Sequence, residues 1–366
     1  MTFSPVPQES KSQIKKAGEI LALGNPEHPE YLWALNLADK WRACHAYPIN
    51  TFQSTLRVKL KKFSKEVIVA QRLKRMPTII DKLRRYPAMQ LTTMQDIGGI
   101  RAVLGSVNDV YKLADEYRKS SFFAHSLVHE NDYIQTPRDD DGYRSIHLIY
   151  KYINKQTPSY DGLRIELQIR TKLQHIWATA VETMGTFLGQ ALKSRQGDQE
   201  WLDFFALTSS AFAHKEKSIP VPRYAHLTAQ ETFKAVADAE KNLKALEKMR
   251  GFSSAANEIA RGRGTGRGWS YHLIVLNSLE NTIKITSYNR ESIDQAVSDY
   301  SKVELEAALG SKIEPVLVSA GPIEKLRRAY PNFFLDIGGF ISNVNSILLL
   351  AKKARTVDPQ QLDLNI

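Results

Sequence analysis

The sequence predicts an α+β protein, a mixed β-sheet flanked by helices, with a smaller α/β domain at its C-terminal end. Three observations predict it. Apolar residues recur at helical spacing through residues 10–90. Short apolar runs separated by turn residues fill residues 96–170, the pattern of strands. Past 198 the helical spacing returns, and a Gly/Arg-rich stretch then separates it from a second set of strand-like runs. A chain of 366 residues has length enough for two or three domains, each with its own core.

Taken in order, residues 10–90 read as mainly helical, 97–104 as a strand and 110–119 as a helix. Strands are expected at 122–131, 143–152 and 163–169, where β-branched and aromatic residues sit between turn signals. Helical periodicity covers 171–184, 198–216 and 228–250. The run Arg261-Gly262-Arg263-Gly264-Thr265-Gly266-Arg267-Gly268 marks a flexible joint. It is no phosphate-binding P-loop, because it lacks Gly-Lys-Ser/Thr and precedes a strand. It could also contact RNA phosphates. Segments 269–276 and 282–288 form a hairpin across the turn 278–281. A helix (291–309), a strand (313–319) and a last helical region follow, the last interrupted near Pro331 and Gly338-Gly339. The expected division is therefore 1–250, a linker at 251–268, and 269–366, with no internal repeat.

Composition excludes several classes. A chain 43% hydrophobic and 24% charged is not a disordered one. The first ten residues are polar, without the apolar core of a secretory signal. The apolar run 347–351 is far short of the ~20 residues of a membrane span. The lone Cys44 rules out an internal disulfide and a Cys-rich zinc finger, and points to a reducing, cytoplasmic location.

Charge is uneven. The formal net charge is +11, and residues 57–85 carry eleven Lys/Arg against only Glu66 and Asp81. Val58, Leu60, Phe63, Ile68, Ile79 and Leu83 are threaded through this stretch at roughly helical spacing. It reads either as a solvated helical face or as a rigid basic helix that binds phosphates.

Candidate chemistry sits in three places. Asp96 opens Asp96-Ile97-Gly98-Gly99-Ile100-Arg101 at a strand edge; it is either a turn residue or a ligand-binding carboxylate. Its glycines allow close approach of a backbone or a phosphate, and Arg101 is suited to pair with Asp96 or to bind phosphate. In 163–170, alternation puts Arg164, Glu166, Gln168 and Arg170 on one strand face, either a solvent-facing surface or a site. The loop 132–142 carries Arg138 and the acidic run Asp139-Asp140-Asp141, either a solvated turn or a divalent-cation site. After it, Tyr143, Ser145 and His147 share a face, and Tyr143 is either a core residue or a platform for stacking a base. His125 and His129 have i, i+4 spacing, but on a strand this makes no zinc pair.

Four ordered blocks carry a resemblance: the stretch 72–83, Asp96 to Arg101, 132–147, and 165–171 followed by His175-Ile176-Trp177-Ala178. Over about residues 50–190 the chain closely resembles the synthetase domain of RelA/SpoT-type alarmone synthetases. The resemblance implies a nucleotidyltransferase-like sheet and the transfer of pyrophosphate from ATP to a ribose 3′-hydroxyl with release of AMP. It implies that Asp96 holds Mg²⁺ on the ATP phosphates, and that Glu166 assists the metal or acts as general base. It implies that Arg72, Lys74 and Lys82 contact ATP, and that Tyr143 stacks on the acceptor's base; Arg101, as a phosphate-binding candidate, is expected to join the ATP-binding set. Arg138, His147 and Gln168 fall on the acceptor side.

Departures from the family pattern lie on that acceptor side: Asn131 stands where Lys is common, Pro137-Arg138 where Pro-Lys is usual, and the loop is longer and acidic. No His-Asp dipeptide marks a hydrolase half.

The form of residues 72–80 also looks like the toxic small alarmone synthetases, which modify the 3′ CCA end of tRNA and stop translation. Tyr330-Pro331-Asn332-Phe333-Phe334 is similar to the fused antitoxin region of CapRel-type proteins, single-chain toxin–antitoxins of phage defence. That implies a regulatory C-terminal domain that restrains the enzyme and senses a phage protein, with Tyr330, Phe333 and Phe334 as regulatory residues. Arg57, Lys59, Lys61, Lys62 and Lys65 exceed what ATP needs and are expected to bind tRNA. A nucleotide synthetase making (p)ppGpp from GDP or GTP, and an inactive RNA-binding protein, are the competing readings.

Overall fold

The computed structural model describes residues 3–63, 67–74, 76–119, 124–187, 199–260, 269–277, 282–308, 313–319 and 333–356. Its contacts divide the chain into two units, Met1–Gln135 with Arg144–Lys172, and Thr136–Tyr143 with Leu173–Ile366.

The first unit begins with helices α1 (Lys11–Leu23), α2 (Tyr31–Cys44) and α3 (Ala46–Leu60). Ser10 starts α1 with a capping box shared with Gln13, and Gly24 ends it at φ +67°, a left-handed conformation natural to glycine. Strand β1 (Ile68–Leu73), helix α4 (Met76–Arg85), strand β2 (Gly98–Leu104) and helix α5 (Val107–Arg118) follow. Strands β3 (Ser126–Asp132), β4 (Ile146–Lys151) and β5 (Arg164–Thr171) complete a sheet of order β1-β2-β5-β4-β3. Only β2 and β5 run parallel; the other neighbours are antiparallel. The sheet is therefore mixed, as the sequence predicts.

The helical reading of 10–90 needs one correction: Ile68–Leu73 is an edge strand, not helix. Val67-Ile68-Val69 are successive β-branched residues, which lose side-chain freedom in a helix and fit a pleated surface. The basic segment 57–85 is thus the end of α3, an edge strand and α4, not one basic helix.

The sheet has one apolar face. Ile100, Ala102, Leu104, Ile146, Leu148, Ile165, Leu167 and Ile169 are at most 2% exposed and join the core under the helices. Helix α3 packs on β1 and β2, and α5 on β2, β4 and β5. Gly98 makes the α3 contact possible: a Cβ there would lie 2.9 Å from Ile165 Cδ1 and 3.1 Å from Ile49 Cδ1. Cys44 is buried in this core, and burial pushes its thiol up to about 12, which makes it inert. His125 stacks against both Phe52 and Tyr152, at 4.6 and 4.7 Å, a packing role.

The second unit contains α6 (Lys172–Phe187), α7 (Gln199–Lys215), α8 (Ala229–Leu243) and α9 (Ala245–Ala260). The expected single helix at 228–250 is broken at Lys244, whose φ is +51°. Glu240 turns back across this break and accepts the Leu246 N–H. Helix α9 covers the first part of the expected linker, and residues 261–268 lie outside the described residues.

Beyond them β6 (Trp269–Asn277), β7 (Thr282–Asn289), α10 (Ile293–Ala308) and β8 (Ile313–Ser319) form a sheet of order β7-β6-β8 with α10 packed on it. The expected hairpin is present as the antiparallel β6–β7 pair. Helix α11 (Phe333–Thr356) runs through Gly338-Gly339 without the expected interruption. Ile337, Phe340, Val344 and Ile347 form its buried stripe, and their burial offsets the two glycines. Phe340 meets the rings of Phe204, Phe205 and Phe212 on α7 at 5.8–6.5 Å. Among the described residues no helix is long and apolar enough to cross a membrane.

Candidate active site

Asp96 lies just before β2, and the strand pairing delivers its partners. The β1–β2 ladder ends at Leu73↔Gly98, and the next N–H, that of Lys74, donates to Ile97 O at 2.8 Å. Lys74 therefore follows β1 into the turn that holds Asp96, while α4 brings Lys82. Lys74 Nζ lies 2.7 Å from Asp96 Oδ2 and Lys82 Nζ 3.0 Å from Oδ1. Burial pushes the Asp96 carboxyl up, but the two ammonium groups outweigh it and hold the acid well below the usual carboxylate range. Burial lowers the Lys74 ammonium, and Asp96 offsets this only in part.

A second cluster comes from register. Arg72, Gly99 and Glu166 are cross-strand neighbours in one row; Arg101, Gln168 and His147 form the next. All six share the face opposite the apolar core, because side chains alternate along a strand. Glu166 Oε1 lies 2.9 Å from His147 Nδ1, and its Oε2 accepts Gln168 Nε2 at 2.8 Å. Arg101 donates from Nε and Nη2 to Gln168 Oε1, each at 3.3 Å. Tyr133 meets the His147 ring edge-on at 5.3 Å.

Burial raises the Glu166 carboxyl, but His147 beside it lowers it further, so the group is an ionised acid below its ordinary range. The charge of Asp96 acts on Glu166 in the raising sense and that of Arg72 in the lowering sense.

Two of the alternatives left open by the sequence are removed here. The polar face of β5 is not solvent-facing: Glu166 and Arg170 are 8% and 3% exposed. Arg101 does not pair with Asp96; it supports Gln168, and the lysines take the aspartate. Gly99 lies on this polar face, where an added Cβ would come no closer than 3.9 Å to Arg72. Its lack of a side chain is therefore not required by packing, unlike that of Gly98, and leaves room on that face.

The chemistry of the donors fits one kind of metal. Asp96 and Glu166 are hard, ionised oxygen donors, and among the described residues no group of three His, Cys, Asp or Glu could hold an ion. Two carboxylates suit Mg²⁺ when substrate phosphates and water complete its shell, and do not make a self-sufficient protein cage.

The acceptor-side residues Arg138 and Tyr143 belong to the second unit. Tyr143 precedes β4 instead of lying on it, and its ring is buried, with Arg138 Cζ 4.7 Å from its centre and Trp177 6.3 Å away. The acidic run is no cation site. Asp141 caps Tyr143 N–H at 2.9 Å and lies 3.7 Å from Arg138, while Asp139 accepts the backbone N–H of Arg223 at 2.7 Å. These bonds fix a loop, and the carboxylates of Asp139 and Asp141 already have donors.

Of the cations expected to meet tRNA, Arg57 and Lys61 are exposed. Lys59 and Lys62 pair with Glu116 at 3.7 and 3.3 Å, and Lys59 also sits 5.1 Å above the Tyr117 ring. Lys65 lies outside the described residues, as does Tyr330; Phe333 and Phe334 open α11. Sequence reasoning gave no role to Tyr133 or Arg223. The only signal for Tyr133 was its place in the loop segment 132–142; Arg223 had none, because the loop residues it holds, Asp139 and Asp140, are 84 and 83 residues away.

Comparison with known proteins bears on this region. A family model of the region found in RelA / SpoT proteins matches residues 71–185. GTP pyrophosphokinase YjbM of Bacillus subtilis (strain 168) is 34% identical over 116 residues, 30% of this chain and 52% of that protein. GTP pyrophosphokinase YwaC of the same organism is 32% identical over 114 residues, again 30% and 52%. The chain thus spans about half the length of these curated relatives. The solved structure of small alarmone synthetase 1 from Bacillus subtilis aligns over 49% of this chain and 93% of that one, at 25% identity and a TM-score of 0.40. Both clusters around Asp96 and Glu166 fall inside a segment, residues 71–185, that matches the region found in RelA / SpoT proteins.

Proposed function

We propose that the chain is an ATP-dependent pyrophosphokinase that transfers pyrophosphate to a ribose 3′-hydroxyl and releases AMP. The observation that carries this reading is the pairing of two ionised carboxylates with opposite surroundings. Asp96 is held by two ammonium groups, and Glu166 is buried in a His147–Gln168–Arg101 network.

The proposed chemistry is a displacement at the β-phosphorus of ATP. A bond forms from the acceptor 3′-oxygen to that phosphorus, and the bond from the same phosphorus to the α,β-bridging oxygen breaks, leaving AMP. Lys74, Lys82, Arg72 and Arg101 supply the positive charge that a tetra-anionic nucleotide needs. Glu166, braced by His147 and Gln168, takes the hydroxyl proton. Asp96 and Glu166 would hold Mg²⁺, which when bound supplies charge neutralisation on the phosphates. Gly99 leaves room for the phosphates to approach the sheet.

For the acceptor we infer the 3′ CCA end of tRNA, with translation inhibited as the consequence. The support is the basic segment 57–85, which carries Arg57 and Lys61 exposed beyond the cations assigned to ATP. A second reading, GDP or GTP as acceptor, is favoured by the relatives, which are named GTP pyrophosphokinases. Residues 269–366 are proposed as a regulatory domain that restrains the enzyme and senses a phage protein, making the chain a self-regulated toxin–antitoxin of the cytoplasm. Tyr330, Phe333 and Phe334 are its proposed regulatory residues.

Incubation with γ-labelled ATP and tRNA, GDP or GTP tests both layers. Label in the 3′ end of tRNA supports the first acceptor. Label confined to guanosine nucleotides replaces it with the second, and tight RNA binding without any labelled product overturns the enzymatic reading.

A further inference from the structure

Residues 136–143 carry Arg138 and Tyr143, and the loop's conformation is set by residues beyond the matched region 71–185. Three contacts fix it. The backbone N–H of Arg223 donates to Asp139 Oδ1 at 2.7 Å, and its Nη2 to the carbonyl of Asp140 at 3.0 Å. Ser209 on α7 donates from Oγ to the carbonyl of Gly142 at 2.5 Å. Gly142 has φ +77°, and a Cβ on it would lie 2.8 Å from Ser209 Cβ and 2.9 Å from Ala206 Cα. The loop therefore touches the α7 backbone at a place where only glycine fits.

The guanidinium of Arg223 is itself held. Its Nη1 donates to Asp203 Oδ1 on α7 at 2.8 Å, and its plane lies over the Tyr224 ring with Cζ 5.0 Å from the centre. One arginine thus ties the loop to α7 through three nitrogens, its backbone N and Nη2 on the loop and its Nη1 on α7. Inside the loop, Arg138 N donates to Tyr143 O and Gly142 N to Arg138 O, so that fixing 139, 140 and 142 also fixes the residues at either end. Tyr143 in turn packs near Trp177, whose Nε1 donates to Phe205 O on α7 at 2.8 Å.

We propose that Arg223 is a positioning residue for the acceptor: it and Ser209 hold the loop in the one conformation that sets Arg138 over the buried Tyr143 ring. The inference rests on the pyrophosphokinase reading for its kinetic consequence, and on geometry alone for the clamp. A loop ordered before binding costs the acceptor less to engage, so that loosening it weakens acceptor binding and leaves ATP binding alone. Two charge-assisted or directional bonds at stake set the scale of the loss at roughly tenfold or more in acceptor KM.

The test compares the full-length chain with Arg223→Ala, Arg223→Lys and Ser209→Ala, using tRNA, GDP and GTP as acceptor probes. The expected result is an acceptor KM raised about tenfold or more by Arg223→Ala, with the KM for ATP within about twofold and partial recovery in Arg223→Lys. Hydrogen exchange of the Gly142 and Tyr143 amides, read alongside, should quicken in Arg223→Ala while the amides of β2 and β5 keep their protection. That second readout needs no activity. If the unaltered chain transfers no pyrophosphate, the functional reading fails and the exchange result still decides the clamp. Unchanged loop exchange in a folded Arg223→Ala variant, or equal changes in the two KM values, would overturn the proposal.

Discussion

Replacing Asp96 by Asn removes the charge that makes a buried lysine tolerable. The Lys74 and Asp96 side chains are 8% and 16% exposed, with Nζ and Oδ2 2.7 Å apart. At an effective dielectric of about 20, two unit charges at that separation attract by roughly 6 kcal/mol. Desolvation consumes part of this, and Lys82 is exposed enough to turn toward water. The net loss from leaving Lys74 buried without its counter-ion is about 3 kcal/mol, at the lower end of the range for broken buried pairs. For a unit of this size that is a fall in Tm of roughly 6–12 °C.

The loss has a pH signature. Lys74 is already lowered by burial, and without Asp96 it falls further. Between that lowered value and the ordinary lysine range the unfolded chain binds more protons than the folded one. Stability of Asp96→Asn should therefore climb as pH rises across that interval. Wild-type Asp96 contributes in the opposite region: its stabilisation is full above the ordinary carboxylate range and drains as pH falls below it. Adding Lys74→Met to Asp96→Asn should restore most of the stability, because the uncompensated charge has gone. Urea unfolding of the two single variants and the double variant at several pH values measures this. An Asp96→Asn variant within about 0.5 kcal/mol of wild type, or a strictly additive cycle, would refute the reasoning.

Three further outcomes follow from the geometry. Gly98→Ala should cost about 1–3 kcal/mol, because its Cβ would collide with Ile165 and Ile49, whereas Gly99→Ala should leave stability unchanged and lower activity; unfolding and turnover measured together distinguish them. Burial lifts the Glu240 carboxyl to about 7, so ionising it is penalised and stability should fall as pH rises from about 4.5 to 7; Glu240→Gln should flatten that slope, of about 2–3 kcal/mol at most, in thermal melts from pH 5 to 8. Phe340→Ala should destabilise the second unit by about 3–5 kcal/mol by emptying the space among Phe204, Phe205 and Phe212, which denaturant unfolding followed by Trp201 fluorescence would register.

The alternation in 163–170 made the polar face of β5 legible, because period two fixes which residues share a side. Its burial was not legible, since an alternating strand looks the same whether or not something covers the polar face. Residues 68–73 misled for a related reason: six residues with mixed spacing fit helix or edge strand, and only the pairing with 98–103 decides. The partners of Asp96 depended on that same pairing. Once β1 is a strand, Lys74 is carried to Asp96 across 22 residues, and Arg101 faces Gln168 on β5 instead. The breaks at Lys244 and the continuity through Gly338-Gly339 were set by tertiary contacts, the Glu240 cap and the α11 stripe, that local sequence does not contain.

The most direct test of the central claim is the rate of label transfer from γ-labelled ATP to tRNA, GDP or GTP, with AMP release, by the unaltered chain and by Glu166→Gln. The account predicts transfer to at least one acceptor, one AMP for each pyrophosphate moved, and a fall of about 10²-fold or more in a folded Glu166→Gln variant. No transfer to any of the three, or an undiminished rate without the Glu166 carboxylate, would contradict it.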